Sequence, residues 1–379
     1  MKRIYFDNAA TTAPYAGIAE EMARCAIEYF GNPSSQHEEG RRAAERLEDC
    51  RARMAACLGC RPDELYFTSG GTVSVRLGIT AAATGVARSG KKHIIASAFE
   101  HRSVLDTLKA LEESGFEITL LGVGGGFVRP EALEAAIRED TALVTVMYAN
   151  NEIGSIQPID ALAGICNAHG VTFHTDAVQA AGHMDIPLGA DGPSLMSLSA
   201  HKFHGPKGAG ALYIRRGTQV KAQSSGPSKE RALRPGTEDL PAVLGMTLAL
   251  ERSLSSLSAS AAHMRELRAM LIHGIEDAGG RCLYTGGPHL EGIISFVYDG
   301  IDGGALLQSL DMEGVSVSHG SACESGEYAP SHVLLATGAD PETARNALRI
   351  SLCASNTAKE AEEFCLLLRR CTDRLRSLG

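Results

Sequence analysis

The chain has 379 residues, 44% of them hydrophobic and 21% charged, with a formal net charge of -9 at pH 7. That length supports a large core and favours two domains over one. The acidic balance counts against a general nucleic-acid binder, which needs a basic face, and no apolar run reaches the roughly 18–20 residues of a membrane span.

The opening residues, Met1 to Phe6, contain no signal-peptide core, so a cytoplasmic location is expected. The ten cysteines are scattered. Cys57 and Cys60 form a C-x2-C with no second pair or nearby histidine pair, which reads as structural or incidental. Neither a metal site nor a disulfide framework is expected.

Helical periodicity covers residues 16–30 and 37–58, broken at Gly31-Asn32-Pro33-Ser34-Ser35. Short apolar runs follow at 64–67, 93–96, 118–121, 142–147, 171–174, 195–198 and 210–214. Helical stretches near 72–84, 102–114, 130–138 and 158–169 separate most of them. This alternation predicts an α/β fold with a mostly parallel seven-stranded sheet flanked by helices. Past residue 238 the pattern changes. One long helix is expected from Leu240 towards Ala278, with the serine-rich 253–260 as a hinge-like part of it. Strands at 292–297, 315–317 and 348–352 follow, with helices near 303–311, 331–337 and 357–376. These predict a smaller α+β domain. The expected division is 15–255 for the large domain, with 1–14 and 256–379 in the small one.

Ligands of open α/β sheets bind beyond the carboxyl ends of the strands. The chemistry-bearing residues fall at those ends. Ser199-Ala200-His201-Lys202 ends one strand and runs into Gly205-Pro206-Lys207-Gly208. A lysine there can form a Schiff base with a carbonyl cofactor, above all pyridoxal phosphate (PLP). Thr68-Ser69-Gly70-Gly71-Thr72 leaves a strand and opens a helix, which suits a phosphate or an ordinary βα turn. Asp176 can pair with a protonated pyridine nitrogen or cap a helix, and Gln179 follows within reach of the same ligand. His101 can lie on an aromatic ring and shuttle protons, or be structural. Cys323, in Gly320-Ser321-Ala322-Cys323, is a nucleophile or an inert loop thiol. Arg349, inside an apolar strand, needs a partner: a substrate carboxylate or a structural ion pair.

Taken in order, these residues resemble the PLP-dependent cysteine desulfurases of the nitrogen-fixation and iron–sulfur-assembly type, in the class V aminotransferase superfamily of fold type I. The resemblance covers nearly the whole chain. It includes Tyr5-Phe6-Asp7-Asn8-Ala9-Ala10-Thr11-Thr12, Asn150-Asn151-Glu152-Ile153-Gly154, His174-Thr175-Asp176-Ala177-Val178-Gln179 and Arg234-Pro235-Gly236-Thr237-Glu238. It implies that Lys202 binds PLP and moves the substrate Cα proton, and that His101 stacks on the ring. Asp176 would pair with the pyridine nitrogen and Gln179 with the phenolic oxygen. Gly71, Thr72, Ser199 and His201 would hold the phosphate, helped by Thr237 from the other subunit of a homodimer. Asn151 and Arg349 would bind the carboxylate of L-cysteine. Cys323 would take its sulfur as a persulfide, release alanine and pass the sulfur to an acceptor such as an iron–sulfur scaffold protein. The resemblance also admits a selenocysteine lyase, a cysteine or cystine C–S lyase, or a specialised sulfur-relay homologue.

The chain departs from the family pattern in three places. Val73-Ser74-Val75-Arg76 stands where a glutamate and asparagines are usual, placing Arg76 near the phosphate or the substrate entrance, or in an interface salt bridge. Ser224 to Glu230 replaces a glycine-rich stretch. Cys353 and Ala354 replace a glycine and an arginine. These changes are expected to ring the substrate entrance.

Overall fold

The computed structural model describes residues 3–186, 188–189, 191–222, 230, 233–320 and 329–378. The first strand, β1 (Ile4–Tyr5), precedes helices α1 (Ile18–Glu28) and α2 (Glu38–Leu58). Helix α2 buries Ala43, Leu47, Cys50, Met54 and Leu58 along one stripe, and Gly59 ends it in the left-handed region at φ 68.

A seven-stranded sheet follows, in the order β2-β8-β7-β6-β5-β3-β4. Its strands are β2 (Leu65–Thr68), β3 (His93–Ser97), β4 (Glu117–Leu121), β5 (Thr141–Thr145), β6 (Thr172–Asp176), β7 (Leu195–Ser199) and β8 (Gly210–Ile214). Strands β3, β5, β7 and β8 are buried at every position, as expected for a sheet covered on both faces. Helices α3 (Gly71–Val86), α4 (Arg102–Glu113), α5 (Pro130–Ala136) and α6 (Ile159–Ala168) make the crossovers. The pairs from β4 through β7 are parallel, and β8 runs antiparallel to both neighbours. The carboxyl ends of β2, β3, β5, β6 and β7 therefore share one edge.

The helix expected over 240–278 is two helices, α7 (Leu240–Ser255) and α8 (Leu257–Asp277), parted at Ser256. Its backbone leaves helical geometry at φ -109 and ψ 7. Its hydroxyl donates to the carbonyls of Arg252 and Ser253, 3.1 and 3.4 Å away. A serine that satisfies its own turn in this way competes with helix propagation.

Beyond α8 lie β9 (Arg281–Leu283), β10 (Ile293–Val297), α9 (Gly303–Met312), β11 (Val315–Ser316) and β12 (Ser318–His319). Then come α10 (His332–Ala336), α11 (Pro341–Asn346), β13 (Leu348–Ser351) and α12 (Ala358–Leu378). An antiparallel sheet of order β12-β13-β10-β9 forms here, and β1 pairs with β11 in parallel. Of the run expected at 315–317, Val315 and Ser316 form β11, and a separate strand, β12, begins at Ser318 in the other sheet. Helices α8 and α12 cover this sheet through Leu267, Leu271, Phe364 and Leu368, which form one core with Ile294, Phe296 and Ile350. No helix among the described residues is long and apolar enough to cross a membrane.

Candidate active site

The shared strand edge opens into a cavity of about 430 Å³. Lys202 reaches it from a short 3-10 turn directly after β7. Its amine donates to the carbonyls of Ala9 and Ala10, at 2.6 and 2.9 Å. Gln179 donates to the same Ala9 carbonyl at 2.8 Å. The N-terminal segment therefore forms one wall of the site.

Asp176 ends β6, almost fully buried. Its carboxylate accepts the Val178 N–H at 3.0 Å. No helix begins there, so the helix-cap reading of Asp176 does not apply. Burial pushes its carboxyl above the usual range, against the opposing pull of His101 and the Val178 N–H.

His101 is itself the helix cap. It precedes α4, and its Nδ1 accepts the Ser103 N–H at 3.1 Å. Burial holds its pKa below the ordinary value. A neutral ring with Nδ1 accepting carries its proton on Nε2. The cap thus selects the tautomer.

The mouth of α3 has the features of an anion cradle. No side chain caps its first turn, which leaves backbone N–H groups free. A Cβ on Gly71 would lie only 3.0 Å from Val178 and 3.1 Å from Ser199. The Ser199 hydroxyl is buried and has no hydrogen-bond partner among the described residues. An orphaned hydroxyl facing a helix N-terminus fits a bound phosphate. Thr72 and His201 complete this side of the cavity. His201 is pushed down to about 4, mainly by burial and then by Lys202.

On the opposite side, Arg349 stands on β13 with its side chain 4% exposed. It donates to the Asn151 carbonyl and to Asp7 Oδ1, each at 2.8 Å. Its Nε has no hydrogen-bond partner among the described residues. The arginine thus makes a structural ion pair and also lines the cavity, as does Asn151.

Not every expected residue reaches this cavity. Thr237 is exposed and does not line it within one chain. Cys323 lies outside the described residues, although Gly320, three positions earlier, lines the cavity. Arg76 is exposed and does not line the cavity, nor do Cys353 and Ala354. Residues 224–229 are outside the described set. Glu230 is buried and ion-paired with Arg51 at 2.7 Å.

The fold also brings here several residues that residue type and spacing do not single out. Ala9 and Ala10 act through backbone carbonyls, which leave no trace in residue type. Asp7 and Ser103 hold Arg349 and His101. Glu100, fully buried, accepts the Met147 N–H at 2.8 Å and also binds the Ser97 hydroxyl. Burial pushes its carboxyl up to about 8. Its position next to His101 was the one available signal.

Residues 4–364 match the aminotransferase class-V family. A cysteine desulfurase IscS of Dictyoglomus turgidum is 41% identical, over 100% of this chain and 97% of that protein. The cysteine desulfurase IscS of Methanosarcina thermophila is 40% identical, over 100% of this chain and 94% of that protein. Among solved structures, a NifS-like protein superposes with a TM-score of 0.92 at 36% identity, covering 98% of this chain and all of that one. SspA in complex with cysteine superposes at 0.83 with 32% identity, covering 93% of this chain and all of the other. By sequence along its length and by fold, the chain belongs to the aminotransferase class-V family.

Proposed function

We propose that this chain is a PLP-dependent cysteine desulfurase that converts L-cysteine to L-alanine and captures the sulfur as a persulfide on Cys323. One observation carries the reading. Lys202, Asp176, His101 and the orphaned Ser199 hydroxyl converge on a cavity whose wall includes Gly320, three residues before Cys323. Three residues of chain span at most about 10 Å, and Gly320 lines the cavity. The cysteine desulfurase relatives and the cysteine-bound SspA structure support the same substrate.

When bound, PLP supplies an electron sink at the substrate Cα. Lys202 would hold the cofactor and move the Cα proton. Among the described residues no cationic side chain bonds the Asp176 carboxylate, and a protonated ring nitrogen would supply that partner. Gln179 would address the phenolic oxygen, and His101 would lie against the ring and take part in proton transfer. Gly71, Thr72, Ser199 and His201 hold the phosphate. Arg349 keeps unused donor capacity for the substrate carboxylate, beside Asn151. Cys323 forms an S–S bond as the substrate Cβ–S bond breaks. Substrate and thiol together give alanine and enzyme persulfide, so no outside oxidant is needed.

The working unit is a homodimer, in which the exposed Thr237 serves the phosphate of the partner subunit. An acceptor protein in the cytoplasm, such as an iron–sulfur scaffold, takes the sulfur. The test is alanine and sulfide production from cysteine with a thiol reductant, in wild type and Cys323→Ala. Loss of both products in the variant supports the reading. Undiminished sulfur release by Cys323→Ala without reductant would point to a simple C–S lyase.

A further inference from the structure

We propose that Thr12 is a positioning residue for Lys202, its hydroxyl closing the turn that presents the amine to the cavity. The inference deepens the reading of Lys202 as the lysine that holds PLP, and rests on it.

Lys202 lies in a compact turn between β7 and β8. The Ala200 carbonyl accepts the N–H groups of Phe203 and Gly205, at 3.1 and 2.9 Å. A Cβ on Gly205 would lie 2.8 Å from that of Ala200, so only glycine lets the turn close. His204 has a φ of 64, a left-handed conformation uncommon for a residue with a side chain. Its surroundings hold it there. The ring is buried, its Nδ1–H donates to the Ala13 carbonyl at 2.8 Å, and it stacks on Tyr15 with centroids 4.3 Å apart. Backbone strain of this kind persists only where the surrounding structure over-determines it, and it gathers at functional sites.

Thr12 spans this turn and is 4% exposed. Its hydroxyl donates to the His201 carbonyl at 2.9 Å and accepts the His204 N–H at 2.7 Å. One oxygen atom therefore clasps the chain before and after Lys202, using both its donor and its acceptor capacity. The Lys202 carbonyl between them accepts the His183 Nε2–H at 2.9 Å.

The far end of the same lysine meets the same stretch of chain. Ala9 and Ala10, just before Thr12, receive its amine. The Ala9 N–H donates to the Ser351 hydroxyl at 2.8 Å, which ties this stretch to β13 and so to Arg349. Residues 9–12 thus hold both the backbone and the amine of Lys202 and set them against the arginine on the opposite wall. A lysine stem is long and flexible, so its amine reaches a fixed point only from a fixed backbone. A misplacement of about 1 Å at a reacting group costs on the order of a hundredfold in rate. Removing the hydroxyl strands the His204 N–H. The turn is then held on one side only, where the Thr12 N–H still donates to the His201 carbonyl at 2.9 Å.

The experiment compares wild type, Thr12→Val and Thr12→Ser. Valine keeps the shape and loses the hydroxyl, whereas serine keeps the hydroxyl and loses the methyl. The first readout starts from the cofactor-free chain. PLP is added, the adduct is trapped at intervals with borohydride, and the modified Lys202 peptide is quantified by mass spectrometry. The second readout is exchange of the alanine α-proton into deuterated water by the PLP-loaded chain at saturating alanine, followed by NMR. Both are run well below each variant's unfolding midpoint, so lost stability alone moves neither. The expectation is that both rates fall about tenfold or more in Thr12→Val and stay within about twofold of wild type in Thr12→Ser. Thr12→Ala, which loses the hydroxyl with less bulk, stands in if Thr12→Val does not fold. Wild-type rates in the folded variant that lacks the hydroxyl, or equal losses in the valine and serine variants, overturn the inference. A wild-type chain whose Lys202 takes up no PLP overturns the cofactor reading itself.

Discussion

Arg349 and Asp7 meet at 2.8 Å across 342 positions of sequence. The pair joins β13 to the segment after β1, the same segment whose carbonyls receive Lys202. It holds the guanidinium in a fixed plane at the cavity wall. A planar fork presented this way matches a carboxylate. Asp7→Asn loosens that plane without removing the side chain. The expected result is a cysteine KM raised about tenfold with a smaller change in kcat. Arg349→Lys, which loses the fork, raises KM further. Steady-state kinetics on both variants checks this.

Ser199 predicts two effects of opposite sign. Its buried hydroxyl has no partner among the described residues, and such a group costs roughly 1–3 kcal/mol in the cofactor-free protein. Ser199→Ala should therefore raise the unfolding midpoint of the cofactor-free chain. If the hydroxyl serves a phosphate, the same change weakens PLP binding by about tenfold. Thermal unfolding and PLP titration of one variant read both effects. A midpoint that falls in the cofactor-free chain would mean the hydroxyl has a structural partner.

Glu100 sets a pH dependence with a definite sign. Its folded carboxyl is pushed up to about 8 by burial, from an ordinary value of 4.5. Between those values the folded state holds a proton that the unfolded state has released. Stability therefore falls as pH rises through this window. His174 works the other way at lower pH. Burial depresses it to about 3 from 6.5, so it costs stability as pH falls below 6.5. Above pH 6.5 the glutamate is separable from it. Glu100→Gln keeps an acceptor for the Met147 N–H and removes the titration. Unfolding midpoints between pH 6.5 and 8 should decline less steeply in the variant than in wild type.

Arg51 and Glu230 form an ion pair with side chains 7% and 1% exposed. Glu230 also accepts the Phe67 N–H at 2.9 Å, so it ties its own segment, which leads to Thr237, to β2. Arg51→Met leaves a buried carboxylate without its cation, at a cost of roughly 3–5 kcal/mol. Arg51→Met with Glu230→Gln removes the stranded charge and should recover much of the loss. Thermal midpoints of the single and double variants test the pair.

The large sheet was legible because its strands are short, apolar and spaced by amphipathic helices. Ser199, Lys202 and Asp176 stood out because polar groups at the ends of buried strands are costly without a purpose. Other features left no such trace. Strands β1 and β9 are too short to show a period of two. The split at Ser256 depends on a local hydroxyl bond, which competes with a helical pattern that continues on both sides. Asp7 and Arg349 pair only after two distant segments are brought together. Thr12 reads as an ordinary polar residue until its hydroxyl is seen between His201 and His204. Arg76 drew attention by its position one turn past Thr72, but that turn carries it out to solvent. Cys323 was read from its neighbours and lies outside the described residues.

The central claim is that sulfur leaves cysteine for Cys323. It is tested most directly by anaerobic incubation of the PLP-loaded protein with L-cysteine and no reductant. Alanine is quantified, and the peptide containing Cys323 is examined by mass spectrometry. The account predicts alanine in equal amount to a persulfide sulfur on Cys323. Alanine without that persulfide, or neither product, would contradict it.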